Sequence, residues 1–190
     1  MSAVDPITTA FTALETRLRS VFTAARWDFN IVADPMSIDE FRAIVRRTPL
    51  LALAWRRFNP VEKAGRRFQG ILDLRLTIVV KHPHDAARRF LGDARGPGLF
   101  PSIAAAIALI NGYTVPDLGT FSVSAVAQAF AEGYGDTNIA IATLDIASHL
   151  VIGDVTGALA DAPEFLSQLS SFVPWPDGQD PDAAIDMRQT

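Results

Sequence analysis

The sequence predicts an α+β fold, in which amphipathic helices pack on a mainly antiparallel β-sheet of about four strands with long hairpins. The first observation is that every second residue from Leu72 to Val80 is apolar, which is the period of a strand with one buried face. The second is that strand-like segments and helical repeats occupy separate parts of the chain, an order typical of α+β proteins. We expect the helices to cover one side of the sheet.

The N-terminal region predicts a helix and then a short strand. Asp5 can accept the first free backbone N–H groups of a helix, and Pro6 suits its first position. Apolar residues then recur every three or four positions, which predicts one amphipathic helix over residues 6–25. Alternation at residues 27–31 predicts a short strand that ends before Pro35.

The next segment predicts a second helix and a buried strand. Ser37 and Glu40 have the spacing of a capping box, so a helix begins there and ends before Pro49. The continuous apolar run at residues 50–55 predicts a strand buried on both faces. Residues 56–67 are polar and contain a proline and a glycine, so we interpret them as a long loop between two antiparallel strands.

The rest of the chain predicts two helices, two long strands and a C-terminal extension. The segments in chain order are a helix at 85–91, a glycine-rich break at 92–98, a helix at 99–112, and strands at 120–130 and 137–152 around a turn at 132–136. A proline-rich stretch near residue 174 cannot form regular structure. We therefore divide the chain into a domain at 1–153 and a partly irregular extension at 154–190.

Composition excludes several classes of protein. The chain has no cysteine, which excludes disulfides, thiolate metal sites and cysteine nucleophiles. No apolar run reaches the roughly 18 residues that a membrane-spanning helix needs. The N-terminus lacks the basic start and apolar centre of a signal peptide, so we expect a cytoplasmic origin.

Charge is distributed unevenly along the chain. Residues 1–95 hold 16 basic and 10 acidic residues, whereas residues 96–190 hold one basic and 11 acidic residues. The halves therefore carry +6 and −10, which together give the −4 of the whole chain. Such a split can steer nucleic acid to the basic half, can join the basic face of one copy to the acidic face of the next, or can simply be two solvated surfaces.

One local group, His82, His84 and Asp85, resembles a metal or acid–base site. A further ligand is missing unless His149 folds in, and Asp85 is also a suitable N-cap for the next helix. The glycine-rich break lacks the Gly-Lys-Ser/Thr ending of a phosphate loop, and no nucleophile elbow or carboxylate pair occurs. We therefore expect no enzymatic activity, no cofactor and no bound metal, and a small metal-dependent enzyme is the third hypothesis.

Paired arginines are the feature that most favours a binding surface. Four Arg-Arg pairs lie in the basic half, and aromatic residues lie between them. Arginine and aromatic residues can bind a nucleic-acid backbone, but they are also favoured at protein–protein contacts. Because the whole chain is acidic, we favour subunit contact. The predicted interface residues are Arg46, Arg47, Arg56, Arg57, Phe58, Arg66, Arg67, Phe68, Tyr134 and Trp175.

The order of the elements and several short motifs resemble a known family. The motifs are Ser37-Ile-Asp-Glu-Phe-Arg, Pro49-Leu-Leu-Ala-Leu-Ala-Trp, the Leu72–Val80 strand, Ala86-Ala-Arg-Arg, the Leu99–Gly112 helix and the final strand pair. Together, over about residues 5–152, they resemble the small tail proteins of Mu-like contractile-tailed bacteriophages and are similar in architecture to tail-terminator proteins.

This resemblance implies a structural protein of the virion tail. A tail-terminator or tail-completion subunit forms a ring, a homohexamer, that caps the tail tube and joins it to the neck. Its partners would be other copies of itself, the tail tube, the sheath and the neck or connector proteins, without a membrane. Assembly would occur in the host cytoplasm, and DNA would only pass through the lumen, for which an acidic lining is a hypothesis. The alternative is a nucleic-acid-binding protein that uses Arg56, Arg57, Arg66 and Arg67.

Overall fold

A computed structural model of the chain describes residues 5–64, 67–82, 86–129 and 138–152. All of them belong to one compact unit, Val4–Asp154. The predicted turn at 132–136 and the predicted extension at 154–190 lie outside the described residues. Within those residues the fold is α+β, as the sequence predicts, with helices packed on a sheet.

The described residues form four helices and a single six-stranded sheet. The helices are α1 (Pro6–Arg19), α2 (Ile38–Val45), α3 (Ala86–Leu91) and α4 (Leu99–Ile110). The strands are β1 (Asp28–Val32), β2 (Leu50–Ala64), β3 (Arg67–Lys81), β4 (Thr114–Val115), β5 (Gly119–Ala129) and β6 (Ile139–Ile152). Their order across the sheet is β1-β2-β3-β6-β5-β4, with β3 and β6 at the centre.

The sheet is mixed and larger than the four antiparallel strands that we predicted. Four of its five strand pairings are antiparallel, but β1 runs parallel to β2. The reason is the helix α2 between these two strands, because a parallel pair needs a crossover connection and this helix provides it. The two-residue strand β4 was not predicted, since it is too short to show a period.

The two faces of the sheet are covered differently. The even-numbered residues of β3 and β6, such as Leu76 and Leu144, form the main core together with α1 and α4. The odd-numbered residues face the other way, where α2 covers only one end and packs on Val79 and Ile141. Our prediction that helices lie on one side was therefore wrong for α2. The remainder of that second face we call the open face.

The segment that we predicted as a loop at residues 56–67 is largely strand. Strand β2 continues through Ala64 and pairs with β3 down to Arg67. The register shifts between Trp55 and Arg57 and again between Pro60 and Glu62, so the ladder accommodates the proline beside a bulge. Residues at this end of the hairpin are mostly polar, so the sequence lacks the apolar alternation by which a half-buried strand is predicted.

Helix boundaries follow the capping signals more closely than the apolar repeats. The capping box is present, since Ser37 N–H donates to a Glu40 carboxylate oxygen at 2.9 Å and Glu40 N–H donates to Ser37 Oγ at 3.3 Å. Helix α1 ends at Arg19 rather than near residue 25. Phe22 continues the apolar repeat, but it lies after the end of the helix. Its ring packs edge to face on that of Trp27, with the ring centroids 4.9 Å apart.

Candidate subunit-interface surfaces

Four side chains form an ion-pair network at the centre of the open face. The Nε atom of Arg75 on β3 lies 2.8 Å from Oδ1 of Asp145 on β6. Nη1 of Arg56, on β2, lies 3.0 Å from Oδ2 of the same carboxylate. Both arginines also reach Oδ2 of Asp34, at 3.1 Å from Arg56 and 3.4 Å from Arg75. The network therefore joins the connection after β1 to three strands of the sheet.

A second ion pair extends this polar surface toward the hairpin. Asp73 on β3 accepts hydrogen bonds from Arg57 Nε and from Asn59 Nδ2, both at 2.7 Å. The Arg57 side chain is largely exposed, whereas that of Asp73 is mostly covered. The open face is thus charged, but these charges are paired with one another within the chain.

The network changes the pKa of its central carboxyl group. The hydrogen bond from Arg75 holds the pKa of Asp145 below its ordinary value, and the positive charges of Arg75 and Arg56 act in the same direction. Partial burial opposes this effect without reversing it. The same contact raises the pKa of Arg75. Both groups are therefore charged at neutral pH, and the pair is electrostatically satisfied.

The structure separates the predicted interface residues that it describes. Arg56 and Arg57 lie on β2 and are engaged in the ion pairs above. Phe58 is partly buried and packs against the main core. Arg46 and Arg47 follow the last residue of α2 and are exposed. The two arginine pairs therefore differ, because Arg56 and Arg57 contact carboxylates of the same chain whereas Arg46 and Arg47 lie at an exposed helix end.

The remaining predicted interface residues are described only in part or not at all. The backbone of Arg67 pairs with Ala64, and that of Phe68 pairs with Lys63 and Ile152, at the far end of the hairpin. Arg66, Tyr134 and Trp175 lie outside the described residues.

Of the three candidate metal-site residues, the structure describes His82 alone. Among the described residues no group of three His, Cys, Asp or Glu side chains is arranged to hold a metal ion. His82 is buried, with Nε2 3.3 Å from Oδ2 of Asp93. Hydrogen bonds from the Arg95 backbone N–H and from the Arg88 guanidinium, followed by the contact with His82, lower the pKa of Asp93. His84 and Asp85 lie outside the described residues, and His149 is exposed.

The outer edge of β5 is a surface that the sequence did not single out. Strand β4 pairs only with Gly119 and Thr120, and Asn111 Oδ1 accepts a hydrogen bond from Val123 N–H. Beyond that point no strand of the described residues pairs with the outer edge of β5. Five of the last six residues of β5 are exposed, including Val126 at 43%. Within the described part of the chain, this edge is therefore an unpaired strand edge beside a small apolar surface.

The opposite edge of the sheet is formed by β1, where Ile31 is exposed and the other four residues are partly buried. Ile31 on β1 is 64% exposed, although its register neighbour Leu53 is fully buried. Trp55 lies two residues farther along β2, on the same face as Leu53, and is half exposed. Exposed aromatic and aliphatic side chains at a sheet edge are typical of an association surface.

Most of these features could not have been found from local sequence pattern. The alternation of Asp73 and Arg75 indicated a polar face, but their partners depend on how distant strands align. Asp145 lies 70 positions from Arg75 along the chain. The sequence shows that the end of β5 is uncharged, but whether another strand pairs with its outer edge depends on the fold.

Comparison with known proteins identifies no family for this chain. No protein-family model matches the sequence, and a search of curated proteins also finds no match. Among the described residues, no helix is long and apolar enough to cross a membrane.

Proposed function

We propose that this chain is a structural subunit of a phage tail, a tail-terminator or tail-completion protein whose copies close into a ring, expected to be a hexamer. The observation that carries the proposal is that the two sides of the sheet are unlike: β1 forms one edge, and on the other side β5 extends beyond the two-residue strand β4. Contacts between unlike surfaces of identical subunits generate rings when the rotation closes. The resemblance of the sequence to small tail proteins of contractile-tailed phages supplies the biological setting.

The charge distribution supports the same arrangement. Strand β1 belongs to the half of the chain with a net +6, and β5 belongs to the half with −10. An attraction between the basic half of one copy and the acidic half of the next favours contact between neighbours. Of the acids in the second half, Asp117 and Asp145 lie within the described residues, and Asp145 is already paired inside the subunit.

The ion pairs weaken the nucleic-acid hypothesis. A phosphate-binding surface needs cations that are free to exchange their counterions for phosphates. Arg56 and Arg57 instead hold Asp34, Asp145 and Asp73. Passage of DNA through an acidic lumen remains part of the proposal, together with contacts to the tail tube, the sheath and the neck proteins.

The proposal is tested in two preparations. Native mass spectrometry and negative-stain imaging of the purified full chain should show closed rings, with six copies expected. Cryo-electron microscopy of the intact particle should place the ring at the head-proximal end of the tail tube. The proposal fails when the chain remains monomeric over the accessible concentration range and no tail density fits it.

A further inference from the structure

We infer that the outer edge of β5, Ser124–Ala129, pairs in antiparallel fashion with β1 of a second copy of the chain. This inference rests on the proposed ring and specifies which surfaces close it. A partner strand added to an exposed sheet edge gains backbone hydrogen bonds along its length, and its side chains set the specificity.

The β5 edge lacks the usual protection against strand addition. Its last six residues, Ser-Ala-Val-Ala-Gln-Ala, include no charged residue and no proline. Natural edge strands that stay unpaired commonly carry lysine or proline, or are short or covered. The bulge between Val123 and Ala125 lies at the start of this segment and leaves the residues after it regularly paired with β6. The segment is therefore a regular strand whose outer side is not paired with any other described strand.

The strand directions allow the sheet to continue into a second copy. Strand β1 runs parallel to β2, and β2 is antiparallel to β3. Because β6 and then β5 each reverse direction again, β5 runs opposite to β1. A rotation that extends the sheet into the next subunit preserves these directions, so β5 of one copy meets β1 of its neighbour as an antiparallel pair.

The two exposed aliphatic side chains lie at opposite ends of one row of residues. Strand register aligns five residues across the sheet, namely Ile31, Leu53, Leu76, Leu144 and Val126. The three inner members are fully buried, whereas Ile31 is 64% and Val126 43% exposed. When the row continues into a second copy, Val126 comes to lie beside Ile31 on the same face, and the contact buries both.

A groove next to Val126 can receive the side chains of the incoming edge. It has a volume of about 320 Å³ and lies between α4 and β5, where Ile107, Asn111 and Val123–Val126 line it. Trp55 of the neighbour lies on the same face as Ile31 and is half exposed. Large aromatic side chains that enter such a groove commonly dominate the energy of an interface.

The test uses the absence of native cysteine. We would prepare Ile31→Cys and Val126→Cys as separate full-length variants and as one double variant. Neighbouring residues on paired antiparallel strands have Cα atoms about 4.5–5.5 Å apart, within disulfide reach. Under mild oxidation, a covalent dimer should appear when the two single variants are mixed, and neither should crosslink alone. The double variant should give a series of covalent oligomers, from dimers upward, whose largest member has as many chains as the ring. Ile31→Cys mixed with Thr12→Cys, an exposed position on α1, is the control.

The outcomes separate this inference from the proposed function. Rings that form without an Ile31–Val126 crosslink overturn the inference and leave the ring function standing. Self-crosslinking of Val126→Cys alone also overturns it, because that result requires contact between like edges. Absence of both rings and crosslinks refutes the inference and the proposed function together. If crosslinked rings form but no phage tail contains them, the β5–β1 pairing is supported and the proposed tail function is refuted.

Discussion

Arg75 and Asp145 occupy paired positions on the two central strands, and their side chains meet on the open face with Nε 2.8 Å from Oδ1. The contact joins a cation from the basic half of the chain to an acid from the acidic half. Arg56 and Asp34 complete the group. Part of the uneven charge distribution therefore stabilises the fold of the single chain, and only the remaining charges are available for contacts with a partner.

Asp145→Asn should lower the free energy of unfolding by about 1–3 kcal/mol, because it leaves two half-buried arginines with fewer carboxylate contacts. Urea denaturation monitored by circular dichroism measures this change. Asp39→Asn is the matched control, since Asp39 pairs with Arg42 but is 94% exposed. We expect the control to lose no more than about 1 kcal/mol. Equal losses in the two variants would contradict a stabilising role for the network.

The stabilisation from Asp145 should depend on pH. Since its pKa is lowered in the folded state, the contribution is fully present above the unfolded-state value of about 3.9. It is lost as the pH falls through the lower folded-state pKa. The stability difference between the wild type and Asp145→Asn should therefore be constant from pH 7 to about pH 5 and should shrink below that. Urea titrations across this range test the prediction, and a difference that grows on acidification would refute it.

The sequence was informative about the centre of the sheet and less so about its margins. Residues 72–80 alternate because one face of β3 meets the helices, so the pattern directly reports burial. Residues 56–64 carry no such pattern, although they pair with β3 over the same hairpin. Their strand conformation follows from hydrogen bonds to a partner strand, which local propensity cannot show. The parallel direction of β1 could have been inferred from the helix that follows it, but its neighbour in the sheet could not.

Gly70→Ala should destabilise the β2–β3 hairpin by roughly 1–3 kcal/mol through overpacking. A Cβ at this position would clash with the Asn59 carbonyl oxygen and lie 2.8 Å from the Phe58 ring. Thermal unfolding of the purified variant measures the effect. Gly96→Ala is the control, because a Cβ there meets nothing within 4 Å and its backbone is not in the left-handed region. A Gly70→Ala protein as stable as this control would show that the hairpin is not packed as described.

The sequence located the arginine pairs but did not show which of them lie beside carboxylates. Arg46-Arg47 and Arg56-Arg57 are equivalent as sequence pairs, yet the first follows a helix end in solvent and the second lies beside carboxylates. The difference arises because β2 aligns with β3 and β6, which supply Asp73 and Asp145. Sequence composition predicts cationic surfaces, but it cannot predict which cations are neutralised within the fold.

Arg56→Ala combined with Arg57→Ala should reduce stability without changing affinity for DNA, because these side chains serve internal ion pairs. Fluorescence anisotropy with single-stranded and duplex DNA at low salt measures binding, and urea denaturation measures stability. Arg46→Ala combined with Arg47→Ala removes the same charge from exposed positions and should leave stability nearly unchanged. A salt-dependent DNA affinity that is lost only in the Arg56/Arg57 variant would favour the nucleic-acid hypothesis.

Val126→Lys should abolish ring formation while the subunit stays folded. The side chain is 43% exposed, so lysine can extend into solvent in the isolated subunit, but an added strand would bury its charge against the neighbour. Native mass spectrometry should then show monomers at concentrations where the wild type forms rings, with an unchanged circular dichroism spectrum. Thr12→Lys adds the same charge at an exposed position on α1 that does not line the groove, and it should assemble normally. Because both variants have the same net charge, normal rings from Val126→Lys would exclude the β5 edge from the interface, whereas failure of both would indicate that assembly responds to overall charge.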